Sequence, residues 1–135
     1  MEKNSTRVRF AKSYIDRLFA EEDMPLLDHL ISVVGAERQL REEFWLFRHV
    51  LWWVGATRSG IWQCYENLSA DDYHRIIQAL RKHGMNDVAE KYRFGWDHWT
   101  DPEQIATLDK WIDDHAKELE HAAFNVIAAH KDELF

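Results

Sequence analysis

Acidic and imidazole side chains one helical turn apart are the first feature of this sequence that could support chemistry. Glu118-x-x-His121 and Asp71-x-x-His74 each place a carboxylate and an imidazole on one side of a helix. Di-iron helical bundles use this spacing twice, together with one more Glu from each of two further helices. A metal site inside such a bundle needs these side chains to point inward.

The predicted last helix turns these residues away from the interior. Its apolar side chains fall within one arc centred near Leu119. At about 100° per residue, Glu118 and His121 lie roughly 100° and 160° from that centre. We therefore predict no metal and no cofactor, and a carboxylate and histidine metalloprotein is the least favoured interpretation.

Nucleophilic chemistry has little support in the sequence. The single cysteine, Cys64, lies in an apolar segment, where a small buried hydrophobic role is expected. A thiolate pair with His49 would need an oxyanion-stabilising motif, and no such motif accompanies it. Gly55 and Gly60 flank a turn without the lysine of a phosphate-binding loop. We predict a protein with no catalytic residues that is not an enzyme.

The charge of the chain is concentrated near its C-terminal end. The net charge is −7, yet residues 1–96 carry 14 basic and 14 acidic residues, against 3 and 10 in residues 97–135. Phosphate binding needs a basic surface, so direct nucleic-acid binding is not expected. An acidic surface attracts a basic partner and is weakened by salt. The candidate partner-binding residues are Asp101, Glu103, Asp109, Asp113, Asp114, Glu118 and Glu120. An ordinary solvated helix face is the alternative interpretation.

An aromatic-rich stretch is expected to position the other elements. The residues of about 37–54 are apolar nearly all round a helix from Phe44 onward, which is typical of a central helix. Gly55 is expected to end it, and a short helix is predicted over residues 60–66. Seven Trp and seven Phe supply large side chains for one core.

The remaining segments also have helical spacing. Helices are predicted at residues 6–22, from an Asp23 cap to Gly35, from a Ser69 cap to Gly84, and from Asn86 to an interruption at Gly95. A long acidic helix, with or without a kink, is predicted from Pro102 to about residue 130. No segment alternates with strand-like period. We predict one compact all-α domain, 1–135, of six to seven helices.

No targeting or membrane signal is visible in the sequence. The longest apolar run, residues 50–54, is far shorter than the ~20 residues that span a bilayer. The first residues lack the apolar core and cleavage site of a secretory signal. We expect a soluble cytoplasmic protein that does not bind a membrane.

A short motif resembles that of a known family. The stretch from Gly60 through Gln63, Tyr65 and Asn67, followed by Gly84 and a terminal acidic helix, is similar to a bacterial all-helical domain family. Its characterised member is an acidic DNA-mimic protein, and most members have no known function. The resemblance covers residues of about 55–135, with the N-terminal helices 6–54 packed on them. The motif departs from the family at Ser59, Ile61, Cys64 and His83.

The resemblance implies an all-α, often dimeric protein. By analogy with the characterised member, surface carboxylates would imitate DNA phosphates and sequester a DNA-binding transcription regulator. A second class stays open: a small toxin-immunity or ligand-binding protein with an aromatic pocket near Trp62, Trp96 and Trp99.

Overall fold

The described part of the chain, residues 10–135 of a computed structural model, is helical throughout and contains no β-strand. Its helices are α1 (Lys12–Ala20), α2 (Met24–Glu37), α3 (Glu42–Gly55), α4 (Gln63–Glu66), α5 (Ala70–Lys82), α6 (Asn86–His98), α7 (Pro102–Asp114) and α8 (Ala116–Ala128). Short 3₁₀ turns, Ala56–Arg58 and Lys131–Leu134, follow α3 and α8. The all-α prediction is confirmed, with eight α-helices in place of the expected six or seven. The predicted start of the first helix, residues 6–9, lies outside the described residues.

Helix α3 carries the aromatic-rich segment and packs against α2, α5 and α8. Its buried residues are Glu43, Phe44, Leu46, Phe47, Val50, Trp53 and Val54. It begins at Glu42, later than the predicted residue 37, because α2 continues to Glu37. The buried hydrophobic residues of the whole described chain form one continuous cluster, so these helices make a single compact domain.

Two glycines that were expected to stop helices lie inside them. Helix α2 passes through Gly35, and α6 passes through Gly95. A helical glycine costs about 1 kcal/mol relative to alanine, which is a small term when the helix buries an apolar face. Leu30, Ile31 and Val34 provide that buried face in α2. The helix-stop predictions at these positions were wrong.

The predicted long C-terminal helix is divided at His115. The backbone of this residue, with φ −113° and ψ 13°, leaves the helical region between α7 and α8. Its Nδ1 lies 2.7 Å from the Trp111 carbonyl oxygen and its ring stacks on the Trp111 indole, with centroids 4.4 Å apart. The His115 side chain thus makes a second contact with a carbonyl oxygen that already accepts the His115 backbone N–H at 3.1 Å. The acidic residues that were predicted on one helix are therefore divided between α7 and α8.

A buried aromatic network joins α3, α4 and α6. The Tyr65 hydroxyl accepts a hydrogen bond from Trp53 Nε1 at 3.1 Å and donates one to the Tyr92 carbonyl oxygen at 2.9 Å. The centroids of the Tyr65 and Tyr92 rings lie 5.2 Å apart. Gly95 leaves room for the Tyr65 ring, because a Cβ at that position would collide with it.

No helix in the described part combines the length and apolar character that a bilayer crossing requires.

Candidate functional site

Two of the seven predicted acidic residues serve the fold rather than an open surface. Asp101 caps α7, where its Oδ1 accepts hydrogen bonds from the backbone N–H groups of Glu103 at 3.1 Å and Gln104 at 3.3 Å. Asp109 Oδ1 accepts the Ile61 N–H at 2.9 Å. Burial raises the pKa of the Asp109 carboxyl, and the Ile61 hydrogen bond opposes that effect. Both side chains therefore fix loops against α7.

The other five predicted residues are spread over different surroundings. Asp114 pairs with Lys110 at 2.8 Å. Glu103, Asp113 and Glu118 are exposed, and the ion pairs within the described residues include none of them. Glu120 is half-buried. Glu118 and Glu120 line different pockets, so the seven residues do not form one surface.

A strongly acidic groove lies where α1 ends and α2 begins, against α3 and α8. We call it the acidic groove: Glu21, Glu22, Asp23, Asp28 and Glu120, with an apolar floor of Met24, Pro25 and Leu51. Its volume is about 630 Å³. Only Glu120 of these carboxylates was among the predicted site residues. The others lie in residues 1–96, whose balanced charge concealed a local acidic cluster.

The carboxylates of the acidic groove are only partly neutralised. Glu22 Oε1 lies 3.0 Å from His121 Nδ1, and Asp28 accepts a hydrogen bond from Arg48 Nε at 2.9 Å. Asp23 accepts the Leu26 N–H at 3.1 Å, which confirms its predicted cap of α2. Glu21 and Glu120 have no ion pair within the described residues. The groove can therefore accept further positive charge.

The backbone at the acidic groove carries an unusual conformation. Glu22 has φ +48°, the left-handed region, and no other described residue except glycine has a positive φ. Left-handed backbone costs an L-residue roughly 1–2 kcal/mol, and glycine normally occupies this position after a helix. Such strain concentrates at functional sites. Here it places a carboxylate where the sequence could have had glycine.

Helices α6 and α8 border a second pocket, of about 580 Å³. Trp111 lies between the Lys91 ammonium, 5.1 Å from its ring centroid, and the stacked His115 ring. Glu118 lines this pocket together with Asp87 and Glu90. Arg81 pairs with Glu90 at 2.7 Å. Lys91 in the lining and Arg81 on Glu90 offset two of the three carboxylates, so this pocket is electrostatically more balanced than the acidic groove.

The three tryptophans of the predicted aromatic pocket have separate surroundings. Trp62 is 39% exposed beside Gly60. Trp96 stacks on Tyr73 with ring centroids 4.4 Å apart, and Trp99 is half-buried against the core. None of the pockets described in this part of the chain is lined by any of the three. We therefore do not place a ligand site at these tryptophans.

The residues of the family-like motif have structural roles. Gly60 has φ +108° and Gly84 φ +75°, both in the left-handed region that favours glycine. Gln63 Nε2 donates to the Ser59 carbonyl oxygen at 2.7 Å, and Tyr65 belongs to the buried aromatic network. Asn67 follows the last residue of α4. These positions shape the turn and core rather than a reactive site.

Cys64 is buried and His49 is half-buried, and neither is in a reactive form. Burial, followed by the nearby Asp109 charge, raises the pKa of the Cys64 thiol to about 12. Burial lowers the pKa of His49 to about 4, and its Nε2 lies 2.8 Å from the Tyr92 hydroxyl. A neutral thiol is a poor nucleophile, so the thiolate pair considered from the sequence has no geometric support.

The carboxylate and histidine pairs do not assemble a metal centre. His121 binds Glu22 rather than approaching Asp71 or His74. In residues 10–135, no group of three or more His, Cys, Asp or Glu side chains is arranged to hold a metal ion.

An ionic cluster that sequence reasoning missed surrounds Glu43, which is 8% exposed. Its Oε1 accepts from Arg41 Nε at 3.2 Å, and its Oε2 lies 3.7 Å from His83 Nε2 and 3.8 Å from His130 Nε2. Burial opposes ionisation, but the backbone N–H of Glu43, Arg41 and His130 together lower its pKa. The cluster joins α3 to the ends of α5 and α8.

Comparisons with known proteins add no evidence about function. No family model, no characterised protein and no solved structure matches the chain. The resemblance to the DNA-mimic family therefore stays a prediction based on the motif residues.

Proposed function

We propose that this protein binds a basic partner protein, of the class of DNA-binding regulators, at the acidic groove. The observation that supports the proposal is the convergence of five carboxylates from three helical segments on one concavity. B-DNA presents one charge per ~1.7 Å of axis, so imitation of phosphates needs locally dense charge. The groove provides that density better than the dispersed carboxylates of α7 and α8.

The floor of the acidic groove suits long basic side chains. Arginine and lysine can lay their aliphatic stems along apolar surface while their charged ends reach carboxylates. Met24, Pro25 and Leu51 offer such a surface. Leu26, the sequence neighbour of the floor residue Pro25, is also exposed.

The experiment compares two variants of equal charge against purified basic DNA-binding regulators from the same cell. One variant carries Glu21→Gln and Glu120→Gln in the acidic groove, and the control carries Glu103→Gln and Asp113→Asn on α7. Affinity is measured at low and high salt. We expect the groove variant to bind at least about tenfold more weakly and the control to stay within about threefold.

A second measurement tests the DNA-mimic interpretation. If the partner uses its DNA-binding surface, operator DNA and this protein must compete for it, and added salt must weaken the complex. Equal losses of affinity in both double variants would show that the acidic groove is not the binding site. A complex that accommodates DNA at the same time would contradict the mimic interpretation.

A further inference from the structure

A pocket of about 460 Å³ opens between α2, α3 and α5, apart from the acidic groove. Its walls combine aliphatic and aromatic groups with two arginines: Ile31, Leu40, Phe44, Trp45, Arg48 and Arg75. Ligand pockets commonly have volumes of about 300–1,000 Å³, mostly apolar walls and a few placed polar groups. The pocket has the size and composition of a small-molecule site.

The charge of this pocket has one sign. Arg48 and Arg75 line it, whereas no aspartate or glutamate does. Their carboxylate partners lie outside the lining: Arg48 Nε donates to Asp28 at 2.9 Å, and Arg75 Nε lies 3.6 Å from Glu42. A guanidinium group has five N–H donors, so a carboxylate held at Nε leaves donors on the terminal nitrogens. An anionic ligand can use those donors.

The orientation of Arg75 is set before any ligand arrives. Its guanidinium carbon lies 3.8 Å from the centroid of the Trp45 ring, a close cation–π contact. His49 stacks at the same tryptophan, with ring centroids 5.9 Å apart. These contacts hold the arginine at the pocket wall, which reduces the ordering that ligand binding would require.

The α2 wall leaves open space. Gly35 and Ala36 are its small residues, and a Cβ at Gly35 would meet only Leu40 Cδ1, at 4.0 Å. Arg75 and His49 both contact the Trp45 ring, and Leu40 adds half-buried aliphatic surface to the pocket. This surface suits a flexible hydrocarbon chain better than a stacked aromatic ring.

We propose that this pocket binds a small amphipathic carboxylate. Arg48 and Arg75 hold the carboxylate, and the aliphatic chain lies against Ile31, Leu40 and Phe44. The Asp28–Arg48 ion pair joins this pocket to the acidic groove, but the two sites have different lining residues and different ligands, so each proposal is tested by its own variants.

Isothermal titration of the full chain with octanoate tests the inference, with octanol and octylammonium as chain-matched probes. The variants are Arg75→Gln, which removes a charged donor, and Ala36→Leu, which fills the α2 wall. Arg81→Gln is the matched control, because Arg81 lies on the same helix, is exposed and does not line the pocket. Urea unfolding of each variant verifies that it is folded.

We expect octanoate to bind saturably, and at least about tenfold more weakly to Arg75→Gln and to Ala36→Leu, with Arg81→Gln unchanged. Octanol should bind at least about tenfold more weakly than octanoate, and octylammonium more weakly still. Absence of octanoate binding to the unmodified chain would overturn the inference. Equal binding of octanol, or undiminished binding to Ala36→Leu, would also overturn it.

Discussion

Tyr65 and Gly95 are in direct contact: the phenol ring of Tyr65 occupies the space that a Cβ on residue 95 would fill. Gly95 is buried in the last turn of α6, and Tyr65 lies on α4. The absence of a side chain at residue 95 lets these helices approach closely enough for the Tyr65 hydroxyl to reach the Tyr92 carbonyl oxygen.

Replacing Gly95 with alanine should therefore destabilise the protein. The added methyl group collides with Tyr65, which the surrounding core holds in place, and such overpacking costs about 1–3 kcal/mol. Alanine has a helix propensity about 1 kcal/mol more favourable than glycine, so the net loss in the free energy of unfolding is smaller than the cost of the collision. Urea unfolding measures the difference.

Gly55→Ala is the control for this prediction. Gly55 ends α3, and a Cβ there has no neighbour within 4 Å. The same chemical change should leave stability unchanged or raise it by up to about 1 kcal/mol. Equal effects of the two substitutions would show that the contact with Tyr65 has no energetic consequence.

Local signals in the sequence predicted much of the fold. Ser69 caps α5 by accepting the Asp72 N–H at 3.1 Å, as predicted, and Gly84 follows that helix with a positive φ. The predicted helix ends at Gly35 and Gly95 were wrong, because tertiary packing of α2 and α6 outweighed the low helix propensity of glycine. His115 gave no signal, since its side-chain bond to the Trp111 carbonyl oxygen depends on a rotamer rather than on a glycine or proline.

The candidate site was less accessible to sequence reasoning. Charge totals pointed to residues 97–135, but the acidic groove joins Glu120 to residues about a hundred positions earlier in the chain. Helical periodicity cannot report such a contact. The break at His115 divides the predicted acidic residues between α7 and α8. Glu118 and Glu120 are both on α8, but two positions apart they lie on different sides of the helix and line different pockets.

Asp109 and Asp113 lie one turn apart on α7 and should respond differently to alanine. Loss of Asp109 leaves the Ile61 N–H without its acceptor, which costs about 1–3 kcal/mol for a buried donor. Asp113 is exposed without an ion pair in the described chain, so Asp113→Ala should stay within about 0.5 kcal/mol. Thermal or urea unfolding compares them, and equal losses would contradict the assignment of Asp109 to the fold.

The half-buried His49 should make stability depend on pH. Its pKa is about 4 in the folded protein and 6.5 ordinarily, so between these values the unfolded chain binds the additional proton. The free energy of unfolding should therefore be about 3 kcal/mol lower at pH 4 than above pH 6.5. Urea unfolding across that range measures the slope.

His49→Gln isolates this contribution, because glutamine can still bond the Tyr92 hydroxyl but does not titrate. The lowered pKa of Glu43 adds its own loss as the pH falls below 4.5, and that loss is common to both proteins. The free energy of unfolding of the unmodified protein, taken relative to that of His49→Gln, should therefore fall by about 3 kcal/mol from pH 6.5 to 4. Parallel curves would mean that His49 accepts its proton equally well in the folded protein.

Glu22→Gly separates stability from binding at the acidic groove. Glycine adopts φ +48° without the penalty of a side chain, so unfolding should require about 1 kcal/mol more free energy. The lost pair with His121 is exposed and offsets little of that gain. If the groove binds a basic partner, the more stable variant should bind it more weakly, as titration against the same regulators would measure. A lower free energy of unfolding would show that the backbone at Glu22 is not strained. A higher free energy of unfolding with unchanged affinity would show that the Glu22 carboxylate takes no part in binding the partner.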